Sequence, residues 1–162
     1  MNFINLLFSP SGRINRAKWW LAVVFLSVVW TVAVGVLAVF LAQDIIRLGS
    51  EPSTEDTLRL IANYGLVTIL FLILIVIPIF VSSIFVGIKR LHDRNKSGWW
   101  IVLFYFGPTI VGMIGRSIDG SLSLVFWLIS FAIAVWAFIE LGCLRGTAGP
   151  NRYGPDPLGP GA

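Results

Sequence analysis

Residues Trp19–Ala42 read WWLAVVFLSVVWTVAVGVLAVFLA, 24 residues without a charge, and this run decides the fold. As a helix rising about 1.5 Å per residue it extends about 36 Å. That exceeds the hydrocarbon thickness of a bilayer, about 30 Å. The apolar core of a cleaved leader is only about 7–15 residues long, so the run reads as a retained span.

Three further runs follow: Tyr64–Ile88, Trp99–Gly115 and Ser121–Leu144, the last interrupted only by Glu140. The expectation is an all-α integral membrane protein with four transmembrane helices over about 19–42, 64–88, 99–115 and 121–144. The whole chain, 1–162, is then a single four-span membrane domain. Composition agrees. Hydrophobic residues make up 57% of the 162 residues and charged residues 12%, against about 45–50% and about 25% in soluble proteins. Seven Trp among 14% aromatics suit a water–lipid boundary.

Charge is distributed by side rather than by domain. Arg13, Arg16 and Lys18 precede the first span with no acid. The loop Gln43–Asn63 carries Asp44, Glu51, Glu55 and Asp56 against Arg47 and Arg59, and Lys89–Gly98 carries Lys89, Arg90, Arg94 and Lys96 against Asp93. Cytoplasmic loops are enriched in Lys and Arg. The N-terminus, the Lys89–Gly98 loop and the C-terminus are therefore expected in the cytoplasm, as an even number of spans requires. A net charge of +4 placed this way points to lipid, not to nucleic acid.

Local signals refine the picture. Met1–Phe8 (MNFINLLF) is too short to span and reads as an interfacial segment, ended by Ser9-Pro10-Ser11-Gly12. Ser53-Thr54-Glu55-Asp56 resembles a helix start, with Ser53 as cap and acids at the positive helix end. Pro78 predicts a kink, and Gly107-Pro108 a bend or break in the third span. The tail Gly146–Ala162, rich in Gly and Pro, reads as a cytoplasmic hook. Asn15-Arg16-Ala17-Lys18-Trp19-Trp20 aligns with Asn95-Lys96-Ser97-Gly98-Trp99-Trp100; both place cations at phosphate level and aromatics one step deeper.

Candidate chemistry is sparse. Arg13, Arg16, Lys18, Lys89, Arg90, Arg94 and Lys96 put seven cations at one face, each worth about 1 kcal/mol beside an anionic leaflet. His92 and Asp93 form no dyad with a nucleophile, and one His with one Cys supplies no three- or four-ligand metal site. No catalytic residue, metal or cofactor is assigned, and His92 reads as a structural residue bonded to a loop carbonyl. Glu140, an acid within a span, is expected to face inward with Ser130, Ile133 and Ala137 and to pair with Arg145 or with a basic-loop arginine such as Arg90. Ser27, Thr31 and Gly35, four residues apart, read as a helix-packing face toward Ser82, Ser83 and Gly87. Cys143 reads as a small interior residue.

The stretches Phe8–Arg16, Arg90–Trp100 (RLHDRNKSGWW) and Gly149–Pro157 (GPNRYGPDP) together resemble the YhaH-like group of small bacterial inner-membrane proteins, the domain of unknown function 805. The resemblance covers nearly the whole chain. It implies a multi-span helical protein of the bacterial cytoplasmic membrane and supplies no catalytic residue. All three stretches fall on the expected cytoplasmic side, so they are expected to pack together. His92, Asp93, Asn151, Arg152, Tyr153 and Asp156 would build that face, with Asp156 or the Gly/Pro backbone ordering Arg90 and Arg94.

The functional expectation is a non-enzymatic membrane protein whose basic cytoplasmic face meets membrane lipids, anionic by preference, or an unknown membrane protein or a second copy of the chain. One rival is a small oligomeric channel or carrier subunit, resting on Glu140, Pro78 and Gly107-Pro108. Another is an enzyme of lipid headgroups, which requires a cavity lined by His92, Asp93, Arg94 and Tyr153.

Overall fold

Pro78 shapes the longest helical run. The computed structural model describes residues 2–48 and 53–159, and outside its loops it is helical, with one isolated bridge between Asn151 and Gly154. The elements are α1 (Phe3–Phe8), α2 (Arg16–Leu48), α3 (Thr54–Phe71), α4 (Ile77–Asp93), α5 (Trp100–Arg116) and α6 (Ser121–Phe138). A π-helical turn, Leu72–Val76, joins α3 to α4, and a second, Ile139–Cys143, extends α6. The Pro78 ring has no N–H and would collide with the carbonyl four residues back. The chain widens just before it: Ile77 N–H donates to the Leu72 carbonyl, five residues back, and helicity continues.

Helices begin where the sequence provides caps. Asn2 Oδ1 accepts from Asn5 N–H at 2.9 Å to start α1, and Asn15 Oδ1 accepts from Lys18 N–H at 2.9 Å to start α2. α3 begins at Thr54, at the expected acidic start. The acid-rich character of the Gln43–Asn63 segment rests partly on residues 49–52, which lie outside the described residues. The aligned Asn95 is used differently from Asn15. It sits at φ 57°, and Lys96 N–H reaches back to the Leu91 carbonyl (2.9 Å) while Asn95 N–H bonds the His92 carbonyl (2.9 Å). This is a left-handed stop for α4, a conformation Asn tolerates. One sequence pattern thus opens a helix at Asn15 and closes one at Asn95.

Arg16–Val39, Tyr64–Asp93 and Ser121–Cys143 are long and apolar enough to cross a membrane, and Trp100–Arg116 is a shorter apolar helix. At 17 residues α5 sits at the lower limit for a span, about 17. α6 is apolar all round yet no residue of it is buried within the protein, with Phe131 68% exposed, the pattern of a membrane span.

The chain forms two compact units, residues 1–22 with 83–162, and residues 23–82. In the larger, α5 and α6 pack antiparallel after a turn at Gly120, whose φ of +82° an L side chain rarely adopts. Gly112 faces Ser130 and Trp127, and Gly115 faces Phe126. α5 runs unbroken through Gly107-Pro108; Ser130 Oγ donates to the Pro108 carbonyl at 2.8 Å. Of the bend or break expected there, the break is absent. Leu91, Ile101, Phe104 and Leu141 form the buried core, ringed by Trp19, Ile84, Ile88, Tyr105 and Ala137. Gly87 has no room for a Cβ because Ile101 of α5 lies against it, so it packs on α5. In the smaller unit Ser27, Thr31 and Gly35 are exposed, with Thr31 Oγ1 bonded back to the Ser27 carbonyl at 2.9 Å. That stripe covers no neighbour within its unit.

Candidate functional site

Where α2 and α5 begin and α4 and α6 end, the larger unit carries a dense set of buried charges. Asp93, 2% exposed, is its centre. Arg13 Nε donates to Asp93 Oδ1 at 3.2 Å, and Arg90 Nη1 to Asp93 Oδ2 at 2.5 Å. Two guanidiniums therefore share one carboxylate. Burying a charge away from water is costly unless it is paired and hydrogen-bonded, and here backbone carbonyls complete the pairing.

Arg13 is held by the tail. Its Nη2 donates to the Thr147 carbonyl at 2.6 Å, and its Nη1 to the carbonyls of Gly149 (2.6 Å) and Gly154 (3.3 Å). Arg90 serves the end of the last helix, with Nε donating to the Leu141 carbonyl at 2.8 Å and Nη2 to that of Leu144. A cation at the negative end of a helix is favourable. Lys89, fully buried, does the same for α1, its Nζ donating to the carbonyls of Asn5 (2.7 Å) and Leu6 (2.5 Å). The short N-terminal segment is thus a helix pinned by a lysine 83 and 84 positions away.

The tail is an ordered hook. Thr147 N–H and Oγ1 both bond the Asp93 carbonyl, at 2.8 and 3.0 Å. Asn151 Nδ2 donates to the His92 carbonyl at 2.9 Å, and Arg152 Nη2 to the Asn95 carbonyl at 3.1 Å. Tyr153 stacks on His92, ring centroids 3.8 Å apart and nearly parallel, and His92 Nδ1 lies 3.3 Å from the Gly12 carbonyl. Asp156 takes Gly149 N–H (2.8 Å) and Leu158 N–H (3.0 Å). Those two backbone donors hold the Asp156 carboxyl below the usual carboxylate range. Gly146 lies so close to Asp93 that any Cβ there would overlap its carboxylate.

Glu140 faces inward as expected, 3% exposed, and pairs with a basic-loop arginine, Arg94 (Nε, 3.1 Å), rather than Arg90, joined by Lys96 Nζ (3.0 Å). Arg145 contributes only its carbonyl, which accepts from Arg94 Nη1. Cys143 is exposed, not interior, because the π-helical turn rotates the last residues of the run relative to α6. Its neighbour Gly142 is the residue that lies under Trp19 and Trp20, and Trp20 Nε1 bonds its carbonyl at 3.1 Å.

The sequence-derived residues therefore divide. Arg13, Lys89 and Arg90 are buried with internal acceptors, and Arg94 and Lys96 are committed to Glu140. Arg16 is exposed and Lys18 half-buried. The tail orders Arg13, whereas Arg90 and Arg94 are held by the end of the last helix. That differs from the expected assignment because the hook lies over the segment preceding α2. Thr147 and the carbonyls of Gly149 and Gly154 were not identifiable in the sequence, since backbone acceptors leave no trace in residue type. Among the described residues no buried side-chain N or O lacks a partner, and no cluster of His, Cys, Asp and Glu could hold a metal.

Beside this cluster opens a cavity of about 380 Å³, lined among others by Asn15, Arg16, Asp93, Arg145, Thr147 and Asp156. Of the four residues that headgroup chemistry would require, only Asp93 lines it.

The family model described as "Protein of unknown function (DUF805)" matches residues 7–155. The chain is 29% identical to "Inner membrane protein YhaH" of Escherichia coli (strain K12) over 146 residues, 90% of this chain and 84% of the relative. It is 25% identical to "Inner membrane protein YhaI" of the same strain over 147 residues, 91% of this chain and 84% of the relative. It is 26% identical to "Uncharacterized protein YiiR" of that strain over 151 residues, 93% and 86% respectively. No solved structure matches the chain significantly.

Proposed function

The chain belongs to the DUF805 family of proteins of unknown function, and from that premise we propose that it is a four-span protein of the bacterial inner membrane with both termini in the cytoplasm, whose basic cytoplasmic face engages anionic lipid. The observation that carries this reading is the clasp of Arg13 by Thr147, Gly149 and Gly154. The bonding of residues before the first span to residues after the last supports an even number of crossings, and counting α5 as a span gives the proposed four.

The same end of the larger unit carries the exposed Arg16, Arg145 and Arg152 and the 82% exposed Trp99. Cations beside aromatics suit the headgroup level of a membrane. The buried cations hold the fold and the outward ones remain for the leaflet. The face is a scaffold with a charged rim rather than a catalytic centre.

Two measurements test this. In a Cys143→Ser background, a membrane-impermeant maleimide should label Ala148→Cys only in inside-out vesicles and Asp119→Cys only in intact spheroplasts; the reverse pattern sinks the topology. Native mass spectrometry of gently extracted protein should show retained anionic phospholipid. A bare protein under conditions that preserve lipid on control membrane proteins would refute the lipid-binding role.

A further inference from the structure

We infer that the cavity beside Arg16 and Arg145 is a binding site for a phosphate group, carried either by an anionic lipid headgroup or by a soluble phosphate. The inference rests on the lipid-facing reading above and narrows it to one place.

The argument is one of charges left over. Arg13, Lys89, Arg90, Arg94 and Lys96 each have acceptors within the protein, and Arg152 has the Asn95 carbonyl. Arg16 and Arg145 are exposed and make no side-chain hydrogen bond or ion pair to any described residue, yet both line the cavity. The two carboxylates there do not neutralise them. Asp93 is consumed by Arg13 and Arg90, and both Asp156 oxygens take backbone N–H groups. Counting the guanidiniums of Arg13, Arg16, Arg90 and Arg145 against Asp93 and Asp156, the surroundings carry a formal charge of +2.

Guanidinium is the side chain best matched to phosphate, through paired N–H donors. Asn15 and Thr147 add polar lining, and α2 begins at Arg16, so its positive end faces the same space. The volume falls within the range of small-ligand sites, about 300–1,000 Å³. The walls are held by the buried cluster, so the two arginines are mounted on a rigid frame.

The test is native mass spectrometry of the full chain in neutral detergent, titrated separately with short-chain phosphatidylglycerol and with inorganic phosphate. One phosphatidylglycerol is expected to bind, with affinity falling roughly tenfold for Arg16→Gln and again for Arg145→Gln, the loss expected for a charge-assisted hydrogen bond. Ala148→Phe, which adds bulk to the lining without altering a charge, should also weaken binding, while Lys18→Gln should not. Inorganic phosphate that competes would identify a soluble phosphate as a source, and phosphate that fails to compete would identify the headgroup; either supports the site. Unchanged binding in Arg16→Gln, Arg145→Gln and Ala148→Phe, each shown folded by circular dichroism, overturns it. If Lys18→Gln or Arg152→Gln weakens binding instead, the basic face stands and the cavity falls. If the wild type binds no anionic lipid, both fall.

Discussion

Arg13 and Asp93, eighty positions apart, lie with Nε 3.2 Å from Oδ1, and Arg90 approaches the other oxygen of the same carboxylate at 2.5 Å. One acid therefore balances two buried cations. Removing it leaves both guanidiniums uncompensated, and breaking a buried pair this way costs about 3–5 kcal/mol. Asp93→Asn, nearly the same shape, should lower the unfolding free energy in mild detergent by that amount. A change below about 1 kcal/mol would show that the carbonyl partners alone suffice to hold the cations.

Ending the chain after Gly146 removes Thr147, Gly149 and Gly154, three carbonyl partners of Arg13. Hydrogen bonds to charged groups contribute about 1.5–3 kcal/mol each. The truncated protein is expected to insert but to unfold at markedly lower temperature. Equal melting of the two forms would mean that the hook is ornamental.

Gly146→Ala should be destabilising by about 1–3 kcal/mol, the usual cost of overpacking, because its Cβ would overlap the Asp93 carboxylate. Gly12→Ala, where nothing lies within 4 Å, provides the contrast, since its φ of +89° adds only backbone strain. Comparable thermal shifts in the two variants would argue that space at Gly146 is not limiting.

Acid should loosen the hook through Asp156. Its folded pKa lies below the unfolded value because Gly149 and Leu158 donate backbone N–H groups to the carboxylate. The sign follows: the stabilisation is complete above the unfolded pKa and disappears as pH falls through the lower folded one. The Gly149 amide resonance, followed by NMR against pH, should titrate below the ordinary Asp midpoint and stop titrating there in Asp156→Asn. A midpoint at or above that of a free Asp contradicts the assignment.

Much of this architecture is legible in the sequence, because membrane helices follow from run length and composition. Pro78 marked the distortion before α4, and the acidic start at Thr54 located α3. The inward turn of Glu140 followed from the cost of a carboxylate in lipid, and so did a basic-loop arginine as its partner, but not which arginine nor the added Lys96. Choosing Arg94 and Lys96 over Arg145 requires knowing that Asn95 stops α4 in a left-handed turn that brings Lys96 back over the helix end. The seven-cation patch was the least transparent feature. A buried cation capping a distant helix and an exposed one carry the same charge near the same helix ends, and only the fold separates Lys89 from Arg16.

The clasp of Arg13 by Thr147, Gly149 and Gly154 also sets an order of events in time. The arginine leaves the ribosome before α2, and its acceptors leave after α6. Until the tail is made, the segment before α2 must therefore keep in water a permanent cation that the finished fold encloses. The membrane helices can enter one by one, but the clasp that ties the segment before α2 to the tail closes only after translation has passed residue 154.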